Sequence, residues 1–248
     1  MNILNKPFTL LEIEHLLDEE LSDERNNYRI IGDLNLTYEE YCYLELKSKG
    51  LQRYESNLTM MEQYKFVLLV SWVFSIRYTD KENLKLDELR NKFQKLPQHT
   101  QRQAVKIIAE VFHEYGINTY ELNPYTIEGL YAILAIHAGI PEKLHNEIFS
   151  ILEESLHYKD VNQLEKKLKY ELSPRMNFIY EYVDTDTIRK LFRDIRSLFI
   201  DCRVKGMGLD ELTVKYPFIS MSLIRNCFSW CEEAYYYQSQ IERKLVQV

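Results

Sequence analysis

The chain has 248 residues, 46% of them hydrophobic, with only 7 Gly and 6 Pro, so it has ample material for a core but little of the turn supply that an all-β fold or a phosphate-cradling loop needs. A formal net charge of -7 excludes a surface coated evenly in nucleic acid. Four scattered cysteines (Cys42, Cys202, Cys227, Cys231) and the lack of a leader-like or membrane-spanning stretch point to a reducing, bacterial-type cytoplasm and no membrane.

In chain order, helix starts are legible as capping boxes, where a Thr or Asp and a Glu or Gln three residues later serve the orphan N–H groups of a first turn. The pattern falls at Thr9 with Glu12, Thr37 with Glu40, Thr59 with Glu62, Thr100 with Gln103 and Asp160 with Gln163. Gly50, Gly116 and Gly139 stand where a left-handed residue ends a helix. Pro124, Pro141 and Pro174 fit first helical positions. These marks, with apolar residues at three and four spacing, predict helices at 9–22, 38–49, 60–78, 86–96, 101–115, 124–138, 141–157, 161–172, 174–182, 185–205, 209–216 and 221–245.

The segment from Tyr64 to Tyr78 has no polar side, and its apolar part, Phe66 to Phe74, broken by Ser71 alone, is far short of the roughly 20 residues that cross a bilayer. It reads as a core helix. Tyr28 to Leu36 is the best strand candidate. The fold class is all-α, a multi-helix bundle or short curved helical stack, because short connections make successive helices antiparallel neighbours.

Charge is uneven along this chain. From Ile188 to Arg225, eight bases (Arg189, Lys190, Arg193, Arg196, Arg203, Lys205, Lys215, Arg225) face four acids, a net +4 that leaves -11 elsewhere. The implied organisation is an acidic helical body, 1–183, and a more basic C-terminal segment, 184–248. Within that segment, Leu209, Leu212 and Tyr216 line a short helix that Pro217 ends, and Ile219 plugs the turn. Ser220 then caps a second helix, whose Leu223, Ile224, Cys227 and Phe228 return to the same core. This is a helix-turn-helix, a unit whose second helix can enter a major groove. Met221, Ser222, Arg225, Asn226 and Ser229 are expected on its outer face, and Arg and Asn are the side chains that pair with guanine and adenine edges.

Gly206 to Trp230 also resembles the short helix-turn-helix of a family of small bacterial antitoxin-like proteins. The likeness rests on Gly208, Asp210, Glu211, Leu212, Tyr216, Pro217, Ile219, Ser220, Ile224 and Arg225, about a tenth of the chain. Cys227 stands where members usually place a small alanine. The resemblance implies DNA binding, or a protein contact made through the same hairpin.

Other constellations are weaker. Glu12 with His15, Glu110 with His113 and Glu154 with His157 have the spacing of helical carboxylate-bridged metal sites, but a Glu-rich chain generates that spacing freely. His137 lies on an apolar helix just before Gly139 and reads as a buried imidazole hydrogen-bonded to a backbone carbonyl, or as a cation favoured by the helix C-terminus, rather than a catalytic base. Cys227 and Cys231 share a helix face but lack further ligands nearby, so the thiols read as small buried hydrophobes and no metal or cofactor is expected. No phosphate loop, dinucleotide fingerprint or zinc-protease motif occurs.

The expectation is a non-catalytic accessory or regulatory protein whose partner is double-stranded DNA. Arg189, Arg193, Arg196, Arg203, Lys205 and Lys215 would meet phosphates, and Ser222, Arg225 and Asn226 would meet bases. Its rival is a protein-only scaffold or adaptor, assembled with a protein partner or a second copy through Tyr235, Tyr236 and Tyr237. A helical metalloenzyme is a weaker third.

Overall fold

The computed structural model describes residues 9–23, 30–52, 58–78, 95, 97–140, 142–156, 166–167, 185–217 and 219–246. Among these residues the fold is all-α, with ten α-helices, two 3-10 turns and no strand. The helices are α1 (Leu10–Ser22), α2 (Tyr38–Gln52), α3 (Leu58–Gln63), α4 (Lys65–Arg77), α5 (Gln98–Glu114), α6 (Ile127–Ala138), α7 (His145–Ser155), α8 (Thr185–Arg203), α9 (Leu209–Lys215) and α10 (Met221–Val246). The described residues fall into two compact units, one ending at Gly139 and the other beginning at Ile140.

The first unit is organised around α4. Phe66 to Phe74 are all buried, and a helix apolar on every side needs cover on every side. That cover comes from α1, α2, α3, α5, α6 and the turn Ile31–Asp33. Its start is fixed from a distance: the Glu14 carboxylate of α1, 7% exposed, accepts the N–H groups of Phe66 and Val67, both at 2.9 Å. These are orphan donors of a first turn, and satisfying them from α1 separates α3 from α4 at Tyr64 where the sequence predicts one continuous helix. Burial raises the Glu14 carboxyl to about 7, although the two N–H bonds pull the other way.

A second buried polar group joins the turn at Ile31 to α6. His137 is fully buried; its Nδ1 accepts the Ile31 N–H at 3.2 Å and its Nε2 meets the Asn118 carbonyl at 2.7 Å. That pairing defines a neutral imidazole with its proton on Nε2, and burial holds its pKa down at about 4. The expected buried, satisfied histidine is what the fold contains. Close by, Gly32 lies so near α6 that a Cβ would sit 2.7 Å from the His137 carbonyl and 2.8 Å from that of Ala138.

The boxes at Thr9 and Thr37 form as expected, and Gly116 and Gly139 take the expected left-handed conformation. Several boundaries differ. Thr59 lies inside α3, and α5 begins at Gln98 after Pro97, leaving Thr100 buried within it. Gly50 continues α2, and Thr126 rather than Pro124 starts α6, its hydroxyl accepting the Gly129 N–H. The strand candidate holds a 3-10 turn from Ile31. The predicted helices at 86–96 and 174–182, the box at Asp160 and most of 161–172 lie outside the described residues.

In the second unit, α7, α8 and α10 pack on one another and α9 packs on α8 and α10. Phe149 of α7 stacks on Phe199 of α8 and meets Trp230 of α10, with ring centroids 6.2 and 6.0 Å apart. Helix α7, which the charge-based division at 183 assigns to the acidic body, thus packs with the C-terminal helices.

Two outcomes test the first unit. Relative to the wild type, Glu14→Gln gains stability in urea unfolding as pH rises from about 4.5 to about 7. The reason is that a carboxyl with a raised folded pKa stabilises below its unfolded value and loses that contribution as pH climbs through the folded one. Gly32→Ala lowers the unfolding free energy by about 1–3 kcal/mol, because rigid backbone carbonyls cannot make room for a methyl group.

Candidate nucleic-acid interface and buried thiol cluster

The hairpin α9–α10 closes as its residues dictate. The Gly208 N–H donates to Glu211 at 3.0 Å to start α9, and Ser220 Oγ accepts the Leu223 N–H at 3.2 Å to start α10. Leu212, Tyr216, Ile219, Leu223, Ile224 and Cys227 are all buried. Beneath the turn lies Asp201, 2% exposed. Its carboxylate receives Lys205 Nζ at 2.6 Å, Lys215 Nζ and the Tyr216 hydroxyl. Burial alone would raise its pKa; the bonds from Lys205, Lys215 and Tyr216 outweigh that and hold it at about 2.

The basic residues expected at phosphates therefore divide. Arg203 is not presented to solvent: it clasps Glu153 of α7 through Nε and Nη2 at 3.1–3.2 Å, and its guanidinium lies 4.8 Å from the centre of the Tyr235 ring. The ion pair with Glu153 holds its pKa above the ordinary value. Lys205 and Lys215 share Asp201, though both remain substantially exposed. Arg196 is half-buried with its Nε out of water and without a hydrogen-bond partner among the described residues. Arg189 is exposed and paired with Asp186, and Arg193 is exposed with its Nε on the Arg189 carbonyl.

On the outer face of α10, Arg225 is exposed and makes no ion pair among the described residues, and Ser229 is exposed beside it. Ser222 is half-buried and its hydroxyl meets that of Ser220 at 2.7 Å. Asn226 departs from expectation. Its Nδ2 donates to His145 Nδ1 at 2.8 Å, while His145 Nε2 donates to the Ile140 carbonyl at 3.0 Å. The amide thus faces α7, because the buried His145 has one ring nitrogen left to satisfy. On the interface side, Tyr235 donates its hydroxyl to the Arg203 carbonyl, Tyr236 is 62% exposed, and the Tyr237 side chain lies outside the described residues.

The same unit gathers three thiols. Cys202 of α8 and Cys227 and Cys231 of α10 are 3%, 0% and 1% exposed, and their sulfurs all lie within 4.8 Å of one another. Cys202 lies 3.9 Å from the Cys227 carbonyl. The Cys227 and Cys231 thiols facing Cys202 lower its pKa, and Cys202 in turn raises theirs. Among the described residues this is the one group of His, Cys, Asp or Glu side chains whose ligand atoms converge. Sequence spacing hides Cys202, 25 residues before Cys227. The signal was periodicity: Ile188, Phe192, Ile195, Leu198 and Cys202 fall on one helix face, as do Leu223, Cys227 and Cys231. Of the Glu-x-x-His pairs, Glu12, His15, His113 and Glu154 are exposed, Glu110 is half-buried, and His157 lies outside the described residues.

No protein family, curated protein or solved structure matches the chain.

Asp201→Asn lowers the unfolding free energy at neutral pH by about 1–3 kcal/mol. The difference shrinks as pH falls from 3.8 towards about 2, since a depressed carboxyl stabilises above its unfolded pKa and ceases to do so below its folded one. Urea unfolding across that range checks it.

Proposed function

We propose that the protein is a non-catalytic regulatory or accessory protein whose α9–α10 hairpin binds double-stranded DNA. The observation that carries the reading is Arg225: exposed, without an acidic partner among the described residues, and in the second turn of a helix whose opposite face is sealed into the core. The first turns of a recognition helix are the part that reaches base edges. Arg189, Arg193, Lys205 and Lys215 supply exposed charge for phosphates. Asp201 offsets part of that charge, so the footprint is small and its salt dependence modest for a DNA-binding unit. Asn226 and Arg203 act in this reading as supports, holding α10 and α8 against α7.

A protein-only scaffold remains the second reading, favoured by Val214, 78% exposed on α9, and Tyr236, 62% exposed on α10. Apolar and aromatic groups left in water on neighbouring helices suit a partner surface. No described helix is long and apolar enough to cross a membrane, which leaves both readings open to a soluble partner.

Fluorescence anisotropy with a labelled random duplex separates the two. Under the DNA reading the full chain binds at low salt, loses affinity as salt rises, and loses about ten-fold with Arg225→Ala, while Tyr236→Ala binds normally. Absence of duplex binding at low salt overturns it in favour of the scaffold.

A further inference from the structure

We propose that Cys202, Cys227 and Cys231 form a three-sulfur binding site for a trivalent thiophilic metalloid, of which arsenite is the simplest form. Ligand number, burial and charge each narrow the occupant. The donors are all sulfur, which selects soft centres over Mg or Ca. No fourth His, Cys, Asp or Glu joins them among the described residues, whereas structural zinc takes four protein ligands. Bonds of about 2.3 Å to sulfur round a pyramidal three-coordinate centre set the ligands roughly 3.5 Å from one another, so the sulfurs close by about 1.3 Å at most from their present spacing.

Burial decides among the soft centres. The thiols lie on the sealed faces of α8 and α10, a turn from Leu198, Phe199, Leu223 and Ile224, all at most 2% exposed. The adjacent cation, Arg203, is committed to Glu153. A monovalent ion on three thiolates leaves two negative charges there and a divalent ion leaves one, each costly without a counter-charge. A trivalent centre leaves none. The exchange balances without net proton release: each thiol gives its proton to one hydroxide of the neutral trihydroxide, three S–As bonds replace three As–O bonds, and three waters depart. No electron changes hands.

The reduced full chain, incubated anaerobically with arsenite and separately with zinc or Cu(I), tests the site by native mass spectrometry. The expected adduct is one arsenic per chain with three hydrogens lost. Cys202→Ser weakens arsenite binding at least ten-fold, and Cys42→Ser, which changes a thiol in the other unit, leaves it unaltered. Circular dichroism confirms that the serine variant is folded; should it unfold, the hydrogen count of the wild-type adduct decides. An adduct that keeps a hydroxyl, no adduct, arsenite binding indifferent to Cys202→Ser in the folded variant, or stoichiometric zinc or Cu(I) in place of arsenite each overturns the assignment. The measurement uses no DNA, so its outcome is independent of the hairpin's proposed role.

Discussion

The Asp201 carboxylate is a charge that folding has taken out of water, and such a charge persists only where donors surround it. Three converge on it: Lys205 just past the end of α8, Lys215 in the last turn of α9 and Tyr216 at its cap. The seven-residue helix α9 is too short to hold together by its own hydrogen bonds. Anchoring at its C-terminal end, with Leu212 in the core, gives it a fixed place and so gives the turn into α10 a fixed direction. The helix that offers Arg225 to solvent inherits its orientation from a buried acid 24 residues earlier in the chain.

Much of the architecture could be read in advance because the signals are local. The boxes at Thr9 and Thr37 need only four consecutive residues, and the left-handed glycines at 116 and 139 need only one. The failures share a different cause. Tyr64 interrupts the helix expected over 60–78 because the cap for α4 sits on α1, some fifty residues away. Thr100 loses its capping role because the chain enters α5 earlier, from Pro97. Where tertiary contacts supply what a cap would supply, short-range patterns misplace the boundary.

The same distinction runs through the site. The buried side of the hairpin follows from spacing, and Leu212, Ile219, Leu223 and Ile224 lie where it puts them. The exposed side does not, since only the fold brings Glu153 to Arg203, Asp201 to Lys215 and His145 to Asn226. Charge counting along 188–225 therefore overstates the cation available to a ligand. The thiol group was hidden for a similar reason: Cys227 and Cys231 announce themselves by their separation of four, and the third member joins only when α8 packs on α10.

The first unit holds two ionisable groups that its interior treats oppositely. Glu14 keeps a proton that the unfolded chain would release, and His137 refuses one that the unfolded chain would accept. Between pH 4.5 and 6.5 the two discrepancies cancel, so folding of this unit exchanges almost no protons through them. Mild acidification then neither tightens nor loosens it on their account: the pair acts as a built-in compensation that neither residue provides alone.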